Sequence, residues 1–207
     1  GSWHWEIGDQ NGHLYLAVSG PNEIYSHWFK NLAPGEAFTS VPVAVGVTGA
    51  PQGTYGGLNQ AMDALTAYRR QIRRKNEDNQ KLPVIFNDYM NCLWGHPTEE
   101  EEYPLIDAAA KAGCEYFCID AGWYADGDWW DSVGEWKESR KRFPGGVRKV
   151  TDYIRRKGMI PGVWLEMEVM GIYCDLAKQV SDDWFFVRHG KRVYDRSRYQ
   201  LDYRNPK

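Results

Sequence analysis

From Leu82 onward, short apolar runs alternate with helical stripes, and that alternation constrains the fold more than any other feature of the sequence. Residues 83–86 make a brief apolar run that ends in Asn87-Asp88-Tyr89. Residues 115–119 make a second that ends at Asp120, and residues 160–165 a third that ends in Glu166-Met167-Glu168. Between the first two, Leu105, Ile106, Ala109 and Ala112 recur at helical spacing until Gly113 stops the pattern. Between the second and third, Val147, Val150, Tyr153 and Ile154 do the same, and Gly158 stops them. Strands that alternate with helices rejoin one sheet as parallel neighbours, so the expectation is an α/β fold with a parallel sheet. Thr98 and Glu101 have capping-box spacing for the first helix, while Pro104 argues for a kink or a later start.

The first fifty residues read differently. Apolar runs at 3–7, 14–18, 24–25 and 41–45 are separated by Gly8-Asp9-Gln10-Asn11-Gly12, Ser19-Gly20-Pro21-Asn22 and Ala33-Pro34-Gly35, which is the chemistry of antiparallel hairpins. A segment this short cannot build both layers of a sandwich, so it either packs on the rest of the chain or ends a larger sheet domain. From about Tyr55 to Asn79, Leu58, Met62, Leu65 and Ile72 predict a helix. Its basic end, Arg69 to Lys75, reads as cations on a solvated face near a helix C-terminus, and residues 75–81 read as a surface connector.

Composition narrows the function. Of the 207 residues 43% are hydrophobic, enough for a buried core, yet the longest apolar stretch, 41–47, is too short to cross a bilayer. No membrane partner is expected. A net charge of −3 with interspersed signs offers no basic stripe, so no nucleic acid partner is expected either. Cys92, Cys114, Cys118 and Cys174 form no CxxC pair and read as buried thiols of a reducing compartment, hence a cytoplasmic protein. His4, His13, His27, His96 and His189 are dispersed, and there is no P-loop, GxGxxG or GxSxG. Neither a metal nor a cofactor is expected.

Three strands ending in carboxylates or amides point to a site, because binding and catalytic groups of β/α folds gather at strand C-termini. A single such residue is as well explained as a helix cap. If Phe117 and Ile119 face the helices, period-two alternation turns Tyr116, Cys118 and Asp120 to the opposite face. Val163 and Leu165 facing outward likewise turn Trp164, Glu166 and Glu168 inward. Tyr89, Trp94, Trp123, Tyr124, Trp129, Trp130 and Trp136 lie around these ends. Flat aromatic faces beside carboxylates suit a sugar ring, with its apolar C–H face and rim of hydroxyls, although Trp129 or Trp130 is expected to plug the loop layer. On the residues alone, Asp120 pairs with Glu166 or Glu168 as acid and base.

Pro83-Val84-Ile85-Phe86-Asn87, Tyr116-Phe117-Cys118-Ile119-Asp120-Ala121-Gly122-Trp123-Tyr124, Gly134-Glu135-Trp136, Arg142-Phe143-Pro144-Gly145-Gly146, the run from Gly158 to Glu168, and Arg198-Tyr199-Gln200-Leu201-Asp202 occur in that order. The order resembles the α-galactosidases of glycoside hydrolase family 36, over residues 32–207. The resemblance implies a (β/α)8 barrel that hydrolyses terminal α-galactosides with retention, using two Asp about 5–5.5 Å apart. It implies a β-sandwich end over 1–52, a helical linker over 53–81, and the first three β/α units of the barrel over 82–207. The resemblance puts the two catalytic Asp at the ends of strands four and six, hence beyond Lys207, in keeping with the about 250 residues of a full barrel, and this piece alone is expected to be inactive. The resemblance displaces the Asp120 acid/base pairing: Asp120 binds sugar hydroxyls, Trp136 and Tyr89 shape the subsite, and Arg198 reaches in from the segment after the third strand. Asp88, Trp123, Glu166 and Glu168 back these groups or line the rim. The family commonly has a second Asp where Ala121 stands and Trp where Tyr89 stands. Hydrolysis of α-N-acetylgalactosaminides, transfer to another sugar and non-catalytic sugar binding therefore stay as alternatives. Three strands leave open sheet edges, so the piece is expected to be unstable alone or to form a homo-oligomer.

Overall fold

The computed structural model describes residues 3–49 and 56–206, in two compact units, Gly1–Arg73 and Arg74–Lys207. The division falls inside the expected linker, whereas the 52/53 boundary and a helix start at Tyr55 lie outside the described residues. In the first unit β1 (His4–Gln10) and β2 (His13–Ser19) form an antiparallel hairpin. Asn11 and Gly12 make its two-residue turn with φ of 56° and 78°, left-handed values that match the twist of the flanking strands. The register puts Trp5, Ile7, Leu14, Leu16 and Val18 on one face, and all five are exposed.

Two strands expected here are absent. Ile24 and Tyr25 lie in a helical turn, α1 (Glu23–Ser26), because the Asn22 side chain accepts the Tyr25 N–H at 2.8 Å and His27 closes the turn in the left-handed region. Residues 41–45 carry no strand; Pro42 removes a ladder donor from the middle of that run. Helix α2 (Gly56–Ile72) forms as its periodicity predicts, with Arg69 and Arg70 in the last turn, but stops short of Asn79.

The second unit opens with α3 (Glu77–Lys81), which corrects the connector expected over 75–81. Asn76 accepts the Asn79 N–H at 2.8 Å, acidic residues fill the first turn, and Glu77 pairs with Lys81. Then follow β3 (Ile85–Asn87), α4 (Glu99–Lys111), β4 (Tyr116–Ile119), α5 (Val147–Arg156) and β5 (Ile160–Val163). The three strands form one parallel sheet in the order β3-β4-β5, with Ile85, Tyr116 and Ile160 in register and Asn87, Cys118 and Gly162 in register above them. Helices α4 and α5 cover one face, where Phe117, Ile119, Ile106, Ala109, Val150, Ile154 and Phe143 are buried together. Ile85 and Ile160 stay exposed on the other.

Helix α4 continues without a break through Pro104, so it does not start later than that residue. The proline leaves the Glu100 carbonyl without its helical donor, and both residues are exposed, so the carbonyl is open to solvent. Thr98 caps the helix by accepting the Glu101 N–H at 3.3 Å while its hydroxyl donates to the Glu101 carboxylate at 2.7 Å. Ala112, expected in the buried stripe, is exposed in the C-cap. Val163 and Leu165 are exposed too, contrary to their expected cover, because β5 is the edge of the sheet.

Beyond β5 the chain folds a smaller layer: β6 (Val169–Gly171), α6 (Asp175–Gln179), β7 (Val187–Arg188), β8 (Lys191–Arg192), β9 (Tyr194–Asp195) and β10 (Arg198–Gln200). Strands β6, β10 and β9 pair antiparallel, and Met170, Cys174, Ala177 and Phe185 form the core. Arg192 ties this layer, donating to the Ala177 and Val180 carbonyls at 2.7 and 3.0 Å and to Asp182 at 2.6 Å while lying over the Phe185 ring. The four thiols are free, but only Cys174 is buried; the other three are half-buried. Among the described residues no helix is long and apolar enough to cross a membrane.

Candidate functional site

The sheet ladder carries past the strand ends. The Asp88 N–H donates to the Cys118 carbonyl at 3.3 Å, and the Trp164 N–H to the Ile119 carbonyl at 2.9 Å, so the residues leaving β3, β4 and β5 are held side by side. Asp120 is fixed there from three directions. Its backbone N–H donates to Asp88 Oδ1 at 2.8 Å, its Oδ1 accepts the Ala121 N–H at 2.7 Å, and its Oδ2 accepts Asn87 Nδ2 at 2.6 Å. Asn87 in turn accepts the Tyr89 N–H at 2.9 Å, which sets the start of the next loop. The loop after Asp120 passes close to the Gly95 turn: Gly122 has φ of 100°, and a Cβ there would stand 2.1 Å from the Gly95 carbonyl oxygen.

Arg198 arrives from the far layer. Pairing of β10 with β6 sets Arg198 opposite Gly171, and its Nη1 reaches Glu166 Oε2 at 2.5 Å. The guanidinium lies 3.6 Å from the centre of the Trp130 ring, and the Trp130 indole N–H is held by the Arg196 carbonyl at 2.6 Å. Burial raises the Tyr124 hydroxyl above its ordinary value, the charges of Glu166 and Asp120 raise it further, and Arg198 opposes them. It donates to the Trp129 carbonyl at 3.2 Å.

Aromatic rings wall this cluster. Trp136, in the left-handed region at φ 57°, packs on Tyr124 at 4.8 Å, Trp123 at 6.1 Å and Trp164 at 6.1 Å between ring centres. Trp129 stands edge-on to Trp164 and Tyr89, and Tyr89 edge-on to Trp94. The Arg142 motif anchors the loop that carries these rings: its guanidinium donates to the Ala125 and Gly127 carbonyls at 2.6 and 2.8 Å, and Phe143 plugs the core. Trp136 also lines a cleft of about 230 Å³ with Met167, Trp184, Asp202 and Tyr203.

The structure thus pairs Glu166 with Arg198 and fixes Asp120 at the end of β4, with Tyr89 and Trp136 among the wall rings. Asp88 and Trp123 are buried behind them, Trp123 donating its indole N–H to the Trp164 carbonyl at 3.0 Å. Glu168 is exposed, and its carbonyl accepts the Leu201 N–H at 3.0 Å. Trp129 packs against other rings as a plug would, whereas Trp130 is the platform under Arg198. The sequence puts Asn87 at a strand C-terminus and Tyr124 among the surrounding aromatic residues without giving either a role; Asn87 orients Asp120, and Tyr124 is tied to the Trp129 carbonyl. Among the described residues no three or more His, Cys, Asp or Glu side chains gather as a metal would need.

Fold and site define a β/α protein whose polar groups cluster at the C-terminal ends of parallel strands beside an aromatic wall. The profile of the Melibiase family matches residues 40–207, and the chain belongs to that family. Alpha-galactosidase Mel36A of Lactobacillus acidophilus is 28% identical over 196 residues, which cover 94% of this chain and 25% of that protein. The chain therefore spans about a quarter of the length of this relative. The crystal structure of the GH36 α-galactosidase AgaB of Geobacillus stearothermophilus matches with a TM-score of 0.58 at 25% identity, over 67% of this chain and 19% of AgaB. A substituted AgaA of the same organism, crystallised in complex with raffinose, shares the fold with a TM-score of 0.55 at 23% identity, over 67% of this chain and 18% of AgaA.

Proposed function

We propose that this chain belongs to a retaining α-galactosidase-like glycoside hydrolase and contributes the sugar-binding side of its active site. In this reading residues 1–52 end a β-sandwich domain, 53–81 link it to the catalytic domain, and 82–207 supply the first three β/α units of a (β/α)8 barrel. Asp120 accepts hydrogen bonds from sugar hydroxyls, Arg198 donates to them, Tyr89 and Trp136 cover the apolar ring face, and Glu166 and Glu168 line the rim. Asp88 and Trp123 hold these groups from behind. The nucleophile and the acid/base are Asp residues of later barrel strands, which a retaining mechanism sets about 5–5.5 Å apart across the scissile bond.

The observation that carries this reading is an Arg198–Glu166 pair stacked on Trp130 and an Asp120 carboxylate oriented at a strand C-terminus, with an aromatic wall around them. A carboxylate oriented by the Asn87 amide and the Ala121 N–H still has lone pairs for a ligand, and a planar guanidinium stacked on indole presents a fixed fork of donors. The α-galactosidase relatives and the raffinose-bound fold neighbour support the substrate class. Ala121 favours a second reading: it is buried directly after Asp120, where the family commonly has a second Asp, and α-N-acetylgalactosaminides are the alternative substrate.

The test is hydrolysis of aryl α-galactoside and aryl α-N-acetylgalactosaminide by the full-length protein, with the anomer of the first product read by NMR. Activity with retention on the galactoside is expected, and Asp120→Ala is expected to lower kcat/KM about a hundredfold, the worth of one or two charge-assisted hydrogen bonds. Preference for the acetamido sugar selects the second reading, and inactivity on both overturns the two together.

A further inference from the structure

Asp88, just after β3, and Glu102, in the first turn of α4, interact through their carboxyl groups and are 1% and 0% exposed. Asp88 Oδ1 accepts the Asp120 N–H, but among the described residues no donor reaches its Oδ2 or either carboxyl oxygen of Glu102. The groups acting on the pair are Asp120 and Cys118 from the β4 strand end, Cys92 from the loop after β3, and Glu101 from α4. All four are acidic, and none of them offsets two buried negative charges. Two ionised carboxylates packed together away from water are untenable, whereas a carboxylic acid donating to a carboxylate satisfies both.

We propose that Glu102 is a positioning residue: it keeps its proton at neutral pH, donates it to Asp88 Oδ2, and thereby holds Asp88 ionised with Oδ1 fixed on the Asp120 N–H. The consequence for substrate rests on the reading of Asp120 as a sugar ligand; the shared proton does not. Burial first, then contact with Asp88, push the Glu102 carboxyl up to about 10. Burial raises Asp88 as well, but the Glu102 contact and the Asp120 N–H both oppose that rise, so the proton resides on Glu102. The pair is a buried prop for the strand end, and it works without a cation.

The sign of its pH dependence follows. From the ordinary Glu value of about 4.3 up to about 10, the folded protein holds a proton that the unfolded chain has released. The contribution of Glu102 to stability is therefore largest at acid pH and declines as the pH rises through that range.

Infrared difference spectra of the full-length protein against Glu102→Gln at neutral pH test the proton directly. Loss of a protonated-carboxyl C=O band in the variant is expected; identical spectra in that region overturn the proposal. Thermal melts of the two proteins from pH 5 to 9 give a second readout, and the Tm of Glu102→Gln relative to the unsubstituted protein is expected to rise with pH. A difference that stays flat overturns it. Glu102→Gln keeps a donor for Asp88 and is expected to hold KM for an aryl α-galactoside within about twofold, whereas Glu102→Leu raises KM about tenfold with kcat near its original value. An unchanged KM in Glu102→Leu removes the positioning role. If that variant does not fold, the spectra and melts of Glu102→Gln still decide, and they do so even if the protein has no α-galactosidase activity.

Discussion

Arg198 does two things at once that a lysine cannot. Its guanidinium lies flat on the Trp130 ring at 3.6 Å while Nη1 bonds Glu166 at 2.5 Å, and its Nε is buried with no acceptor on any described residue. An ammonium can pair with Glu166 but presents neither a stacking plane nor a second aligned donor. Arg198→Lys is therefore expected to raise KM for an aryl α-galactoside about ten- to a hundredfold in the full-length protein, with a much smaller change in Tm. Steady-state kinetics beside a thermal melt separate the two effects, and an unchanged KM takes Arg198 out of the sugar site. The residue was legible as a motif position, yet its partner was not. Trp129 or Trp130 reads as a plug from sequence, which shows only that a Gly- and Asp-rich loop carries both. The contact depends on β10 pairing with β6, which brings together residues 68 positions apart.

Elements whose signals are local were readable, and those that depend on a partner far along the chain were not. The three parallel strands stand within two residues of the runs at 83–86, 115–119 and 160–165, and the Thr98 cap and the helices stopped by Gly113 and Gly158 stand where capping and periodicity put them. The missed turns at 23–26 and 77–81 share one cause, an Asn whose side chain caps the following backbone more cheaply than a strand or connector would. The short strands β6 to β10 escaped notice because two or three residues are too few to show a period. Helix α4 illustrates how distant groups complete a local element. Buried Glu99 at its first turn pairs with Lys149 of α5 and accepts the Gly145 N–H at 2.6 Å and the Tyr103 hydroxyl at 3.0 Å. Lys149 above all, with the two hydrogen bonds, holds its carboxyl below the ordinary range against the cost of burial. Because the folded value is depressed, the stabilisation is present above the unfolded value of about 4.3 and is lost as the pH falls through the folded one. Glu99→Gln is expected to cost about 1.5–3 kcal/mol at neutral pH, with the gap closing in acid, as urea melts at pH 7 and pH 3.5 would measure. A gap that persists unchanged at the lower pH would assign the loss to packing instead.

At the scale of the whole molecule, each unit leaves apolar surface that its own residues do not cover. In the first, the hairpin face built by Trp5, Ile7, Leu14, Leu16 and Val18 is open, with Leu14 81% exposed, and no residue of α2 is buried. A two-stranded hairpin is marginal in water without a layer against it. In the second, helices cover one face of the parallel sheet while Ile85, 59% exposed, and Ile160 stand open on the other, and β3 and β5 are both edges. Burying apolar surface contributes about 25 cal/mol per Å², so several such side chains outweigh the entropy of holding two chains together at modest concentration. The 207-residue polypeptide is accordingly expected to self-associate through these faces and to melt in more than one step, the hairpin unit first. Ile7→Lys with Leu16→Lys, an adjacent pair on the hairpin face, is expected to lower the mass seen by light scattering without disturbing the β3-β4-β5 core. A single sharp calorimetric transition from a monomer would overturn self-association through these faces.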